Sequence, residues 1–256
     1  MKIDVLDIKG VPFGEGRTKI CVPIVEHNKE GILSYAERAL DTKPDLLELR
    51  MDKFEGMRNA EAVLSLLKDI REVIGDTLLL FTIRTSNEGG EADISVEDYE
   101  VLCKRMCESG WIDLIDVEAF MEEGLLERIT EVAHNNGVKV VASNHDFEKT
   151  PDEQEIVRRL IYMDEHGADM PKIAVMPQCE RDVLVLLSAT LRYYEEGGKK
   201  PIITMSMGKL GAISRMAGQV FGSSVTFATA GQVSAPGQIA AYEIKPILDV
   251  LHVDRQ

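Results

Sequence analysis

Asp169-Met170-Pro171-Lys172-Ile173-Ala174-Val175-Met176-Pro177 sets a short apolar run between two prolines. Such a run reads as a fully buried strand of a parallel sheet, where helices cover both faces and polar alternation is lost. A helical pattern follows from about Arg181 to Glu195, so the stretch begins one strand and helix unit. Lys172 opens the run. Moving an ammonium out of water costs several kcal/mol, so this lysine pairs with a carboxylate, snorkels to a rim, or loses its proton and becomes a nucleophilic amine.

The same alternation extends in both directions. Upstream, Ile20–Val25 reads as a strand before a helix over Lys29–Leu40, and Leu46–Arg50 as a strand before a helix over Ala60–Ile74. Leu78–Arg84 precedes a helix started by the capping-box-like Ser95-Val96-Glu97-Asp98 and running to Cys107. Ile112–Val117 leads to a helix over Glu122–Asn135. Val138–Ser143 runs into Asn144-His145-Asp146-Phe147, followed by a helix with Thr150 as N-cap and Pro151 at its first position. Downstream lie the strand Ile202–Met205, a helix over Ala212–Val220, the strand Val225–Ala228 and a last helix over Ile239–Leu251. Counted from Ile20, these make eight strand and helix pairs, the expectation for a (β/α)8 barrel, with a doubly wound sheet as the fallback. Ile3–Lys9 and Val11–Arg17 around Gly10 and Gly14 predict a hairpin within residues 1–18 that caps the bottom of the barrel.

At 256 residues and 45% hydrophobic content, the chain suits a single domain over 1–256, and no linker divides it. A net charge of −15 argues against nucleic acid and anionic membranes, which select basic faces; a small-molecule ligand is expected. Acids interrupt every apolar run from Met1 onward, so neither a signal-peptide core nor a spanning segment is expected, and the predicted location is the cytosol. Cys21, Cys103, Cys107 and Cys179 lack CxxC spacing, which predicts free thiols.

Barrel active sites assemble at the C-terminal ends of the strands. Those ends carry Glu48 and Arg50, Arg84 and Glu88, Asp116 and Glu118, His145, Lys172, Ser206 with Arg215 beyond it, and Ser234 with Gln238. Three arginines and a lysine on one rim of an acidic protein imply an anionic, polyhydroxylated small ligand. His145 ends its strand one strand away from Lys172, which suits a proton-transfer role, although a lone histidine is also a common structural residue.

These residues resemble the type I 3-dehydroquinate dehydratases. The resemblance rests on Glu48-Leu49-Arg50, Phe81-Thr82-Ile83-Arg84 with Glu88-Gly89-Gly90, Ser143-Asn144-His145-Asp146-Phe147 and Pro171–Pro177. It continues through Ile203–Met207, Ile213-Ser214-Arg215, Phe221-Gly222-Ser223 and Ser234-Ala235-Pro236-Gly237-Gln238, in family order over essentially the whole chain. Leu49 departs from the tryptophan of some relatives and touches only local packing.

The resemblance implies the same barrel, a homodimer, and conversion of 3-dehydroquinate to 3-dehydroshikimate in aromatic amino acid biosynthesis without metal or cofactor. It assigns Lys172 to an imine with the C3 ketone, His145 to proton transfer at C2 and at the C1 hydroxyl, and Glu88 to orienting His145. It also assigns Arg215 to the substrate carboxylate, and Glu48, Arg50, Arg84, Ser234 and Gln238 to hydroxyl binding or the site lining. Two rivals stay open on the residues alone. One is a class I aldolase or transaldolase, which shares the barrel and the lysine; the other is a barrel that binds ligand without turnover. Gly208 and Gly211 offer a competing phosphate cradle after the seventh strand. The segment 229–237, with small residues and two glycines, is expected to act as a lid.

Overall fold

The computed structural model describes residues 2–231 and 235–252. β1 (Leu6–Ile8) and β2 (Val11–Phe13) form an antiparallel hairpin, shorter than the sequence suggests. Its two turn residues, Lys9 and Gly10, both take positive φ (51° and 82°), the turn whose twist matches that of the flanking strands. Then come β3 (Lys19–Ile24), α1 (Lys29–Leu40), β4 (Leu46–Arg50), α2 (Ala60–Ile74), β5 (Leu78–Thr82) and α3 (Val96–Cys107). β6 (Leu114–Glu118), α4 (Leu125–Asn135), β7 (Lys139–Asp146), α5 (Glu153–Glu165), β8 (Met170–Val175) and α6 (Glu180–Glu195) follow. β9 (Ile203–Ser206), α7 (Ala212–Phe221), β10 (Val225–Thr229), the two-residue β11 (Ile239–Ala240) and α8 (Ala241–Val250) complete the order.

Strands β3 to β9 pair in sequence, all parallel, and β10 pairs back onto β3 with Thr226 opposite Ile20. β9 and β10 meet through the Ile202–Ser223 bridge, where the Ser224 N–H donates to the Ile202 carbonyl at 2.8 Å. The sheet is thereby a closed (β/α)8 barrel.

Strand periodicity sorts the side chains into two sets. Leu47, Leu49, Leu79, Phe81, Ile115, Val117, Val140, Ala142, Ile173 and Val175 pack outward into the core shared with the helices. Leu46, Leu78, Leu80, Leu114, Val141, Met170, Ile203 and Val225 form the lumen floor. Ile8 and Phe13 of the hairpin belong to that second cluster and close the barrel from below. Phe13 is wholly buried, so Phe13→Ala would cost about 3–5 kcal/mol. Two residues further up β4 to β8 the lumen turns polar, with Glu48, Thr82, Asp116, Ser143 and Lys172 all buried there, while Met205 of β9 and Phe227 of β10 keep that level apolar on the other side.

Several boundaries differ from the sequence reading. β8 begins at Met170, so Lys172 is its third residue and lies beside Ser143 of β7 rather than opening the strand. β7 continues to Asp146 because β8 pairs with it that far, which puts His145 inside a strand. The N-cap of α5 is Asp152, whose carboxylate accepts from the Glu155 N–H at 2.9 Å; Thr150 instead donates its hydroxyl to the Met176 carbonyl. α4 starts at Leu125, after Gly124 at φ 78°. Ile239 and Ala240 do not belong to the last helix: they pair with Ala228 and Thr229 of β10. All four cysteines are free, with Cys103 and Cys107 buried on one face of α3.

Candidate active site

Lys172 is 3% exposed, and its ammonium donates to Asp116 Oδ2 at 2.9 Å. Glu48 Oε1 stands at 3.8 Å, and the Phe227 ring centroid lies 4.7 Å from Nζ. Glu48 is held by the Thr82 hydroxyl at 3.0 Å. The lysine therefore pairs with a carboxylate inside the barrel rather than snorkelling to its rim.

Glu88 reaches the site through a tight turn. Residues Ser86–Glu88 form one 3-10 turn ended by Gly89 at φ 79°. A Cβ on Gly90 would stand 2.0 Å from the Arg84 carbonyl, so a glycine lets this backbone fold onto itself. The Gly90 N–H then bonds the Thr85 carbonyl at 2.8 Å. This fold-back aims Glu88 at β7. Its Oε2 accepts the His145 backbone N–H at 3.0 Å and lies 2.8 Å from the ring Nδ1, while Oε1 accepts from Asn144 Nδ2 at 3.0 Å. Among the described residues, Nε2 of His145 has no protein partner and is the ring atom left for a ligand.

Burial acts on both members of this pair. It drives the His145 imidazolium pKa well below its usual value, helped by the charges of Arg84, Lys172 and Arg50. It also pushes the Glu88 carboxyl up to about 8, against the opposing pull of Arg84. Burial thus disfavours the imidazolium and the carboxylate alike, and the two groups titrate as a pair.

Arg84 joins the two halves of the site. Its guanidinium donates to Asp116 Oδ1 (2.8 Å), Glu118 Oε1 (2.9 Å), Ser143 Oγ (3.0 Å) and Glu88 Oε2 (3.3 Å). Glu118 is fixed in turn by the Thr85 N–H and hydroxyl at 2.8 and 2.6 Å. Arg50 makes a two-pronged pair with Asp52, both bonds 2.8 Å long.

Arg215 differs from the other cations. It is 1% exposed, yet no carboxylate lies within 4 Å of it among the described residues, and its Nε has no partner. It donates to the Pro236 carbonyl at 3.1 Å and the Phe227 carbonyl at 3.4 Å. Burial lowers its pKa to about 10. A desolvated guanidinium with no counter-charge is a strong binding site for an anion. The phosphate cradle finds less support: the Gly208 N–H is already bonded to the Pro236 carbonyl, and Gly211 is pressed against Ser206.

One cavity of about 180 Å³ gathers Lys172, His145, Glu88, Glu48, Arg50, Arg84, Arg215 and Gln238. Pockets for drug-sized ligands run to roughly 300–1,000 Å³, so this one suits a compact metabolite. Ser234, the remaining expected site residue, lies outside the described residues. Phe147, Met205, Met207 and Phe227 also line the cavity, as do Ala235 and Pro236 of the loop after β10. The sequence reading did not select those apolar walls, which carry no reactive group; their inward strand parity was the available signal for Met205 and Phe227. Asp116 and Glu118 stood among the strand ends, without a role. Among the described residues, no group of three or more His, Cys, Asp or Glu side chains is placed to hold a metal ion.

The family profile described as Type I 3-dehydroquinase matches residues 20–255. The 3-dehydroquinate dehydratase of Clostridioides difficile strain 630 is 49% identical over 247 residues, covering 96% of this chain and 97% of that protein. That of Listeria monocytogenes serotype 4a is also 49% identical, over 245 residues, covering 96% and 97%. Among solved structures, the Clostridium difficile type I enzyme with covalently modified comenic acid superposes with a TM-score of 0.93 at 47% identity, covering 97% of this chain and 98% of the other. The Geobacillus kaustophilus 3-dehydroquinate dehydratase gives 0.94 at 36% identity, covering 97% and 96%. A profile match across the barrel, together with relatives this similar over nearly their full length, means that the chain belongs to the type I 3-dehydroquinase family.

Proposed function

We propose that the chain, acting as one barrel domain, dehydrates 3-dehydroquinate through an imine on Lys172. Family membership makes it a 3-dehydroquinate dehydratase, a hydro-lyase of the shikimate route. The observation that supports the imine route is the shared cavity, which is lined by Lys172, by a histidine whose Nε2 is uncommitted and by an arginine without a counter-charge among the described residues. The Clostridium difficile relative is described with covalently modified comenic acid, in keeping with a nucleophile in such a site.

In this reading, Lys172 attacks the C3 ketone and water leaves to give a protonated imine. That imine is a far better electron sink than the ketone. With Glu88 ionised and accepting the ring proton on Nδ1, Nε2 of His145 takes the C2 proton, the electrons pass into an enamine, and the same imidazolium protonates the departing C1 hydroxyl. Glu88 keeps the ring in register through Nδ1. Arg215 clamps the carboxylate, while Glu48, Arg50, Arg84, Gln238 and Ser234 bind hydroxyls or line the site. No step calls for a cofactor.

An aldolase would cleave a carbon–carbon bond instead, and a binding protein would turn nothing over. Adding 3-dehydroquinate tests the reading: the ultraviolet absorbance of a conjugated enone should grow, and its absence would count against turnover. We also propose a cytosolic homodimer. No described helix is long and apolar enough to cross a membrane, and light scattering of the purified protein would check the dimer.

A further inference from the structure

Asp116 is wholly buried at the centre of the lumen, and the mechanism above leaves it without a task. Its Oδ2 accepts from Lys172 Nζ at 2.9 Å. Among the described residues, no other acceptor lies within hydrogen-bond distance of that nitrogen; Glu48, the next carboxylate, is at 3.8 Å. Its Oδ1 accepts from the Ser143 hydroxyl at 2.6 Å and from Arg84 Nη2 at 2.8 Å. Ser143 is also the residue directly beside Lys172 in the β7–β8 ladder, so carboxylate and amine are fixed by the same piece of sheet.

We propose that Asp116 is the counter-ion of the imine: it aims the Lys172 nitrogen at the carbonyl carbon and then holds a proton on that nitrogen for as long as the substrate is attached. The proposal rests on the reading of Lys172 as the imine-forming residue.

The charge balance of the reaction favours a permanent partner of this kind. When an ammonium and a ketone condense, two of the three nitrogen protons leave with the carbonyl oxygen as water, and the third stays on the imine nitrogen. The nitrogen is cationic before and after the step. A buried carboxylate that pairs with the ammonium therefore still pairs with the imine, and no uncompensated charge appears in the lumen. A neutral imine would have given up that third proton and with it most of its pull on the C2 electrons. When His145 removes the C2 proton, the nitrogen becomes a neutral enamine. Arg84 and Ser143 then keep Asp116 from standing alone. When the C1 hydroxyl leaves as water, the electrons return through the enamine and restore the cation beside Asp116.

The carboxylate is suited to remain ionised throughout. Burial alone would raise its pKa, but Arg84, Lys172 and the Ser143 hydroxyl hold it at about 2. Sharing Oδ1 with Arg84 also moderates the charge on Oδ2, so the partner retains the proton on nitrogen without abolishing its electron demand.

The test compares wild type, Asp116→Asn and Asp116→Glu on protein carrying ¹⁵N-labelled lysine and saturated with product. The ¹⁵N chemical shift of the imine separates its protonated from its neutral form. Borohydride trapping, followed by mass measurement of the Lys172 peptide, counts the adduct. Wild type should hold a protonated imine across neutral and mildly alkaline pH. Asp116→Asn should show a neutral imine at neutral pH, the alkaline limb of its kcat profile should move to lower pH, and kcat should fall about 10²- to 10³-fold, the usual loss for a preorganised electrostatic partner. Asp116→Glu keeps the charge and should keep the imine protonated even where crowding lowers kcat. A merely structural role predicts the reverse, with the bulkier glutamate the more harmful change and no shift in protonation. A neutral imine in the wild-type protein, or a protonated one in Asp116→Asn, would overturn the assignment, and the wild-type measurement stands whether or not the variants fold. No adduct on wild-type Lys172 would instead remove the imine reading beneath it.

Discussion

Glu88 grips His145 twice through one oxygen: Oε2 accepts the backbone N–H at 3.0 Å and lies 2.8 Å from the ring Nδ1. The first bond fixes the carboxylate against β7, and the second fixes the ring that the strand carries. Losing the histidine removes the proposed proton-transfer group, whereas exchanging a Glu88 carboxylate oxygen for an amide nitrogen loosens the ring's orientation. His145→Ala should lower kcat by about 10²- to 10⁴-fold. Glu88→Gln should cost less, because it keeps the shape. Equal losses in steady-state kinetics would give Glu88 a direct chemical role.

The same pair predicts a pH effect on stability. Glu88 titrates at about 8 when folded, against 4.5 for an unperturbed glutamate. Between those values the folded chain retains a proton that the unfolded chain has released, so stability from this group falls as pH rises. Below 4.5 its contribution is complete. Urea midpoints from pH 5 to 8 should therefore decline less steeply in Glu88→Gln than in wild type. Parallel slopes in the two proteins would place that proton elsewhere.

Lys172→Met should keep the fold and lose nearly all turnover, since the thioether fills similar space without a nucleophile. Wild type treated with borohydride in the presence of substrate should gain a ligand-sized mass on the peptide containing Lys172. A mass on another lysine would reassign the covalent step.

Arg215→Ala should weaken competitive inhibition by carboxylate analogues of the substrate and raise KM, because no carboxylate among the described residues pairs with the guanidinium. Inhibition constants for paired carboxylates and phosphate esters give the check. A preference for phosphate esters would restore the cradle around Gly208 and Gly211.

Arg215 and the Gly208 N–H both bond the Pro236 carbonyl, which connects the loop after β10 to the proposed carboxylate clamp. We propose that this loop is a lid. A ligand held by Arg215 and Gln238 should favour the closed arrangement, because a loop shifts only toward the state to which the ligand binds better. Hydrogen exchange over residues 229–238 should slow sharply once borohydride has trapped the adduct. Equal exchange in free and trapped protein would make the segment an ordinary connection.

The sequence by itself determined the order of strands and helices, because each element carries its own signal: an apolar run, a period, a cap or a glycine. The spans of α1, β4 and α2 agree residue for residue with the sequence reading. Local chemistry misled at α5, where Thr150-Pro151 looks like a start but Asp152 offers the stronger acceptor. The candidate residues were also legible, since arginines, a lysine and a histidine at strand ends stand out in an acidic chain. The resemblance also named Glu88 as the partner of His145, but the partners of the lysine and the arginines were not legible. Lys172 meets Asp116, 56 positions away, and Arg84 meets Asp116, Glu118 and Glu88 at once. Those pairings depend on the stagger between neighbouring strands when the sheet closes, and no local pattern encodes that stagger. The same closure buries Arg215 with no carboxylate beside it among the described residues, and gives Lys172 an ion pair where its own strand offered three different fates.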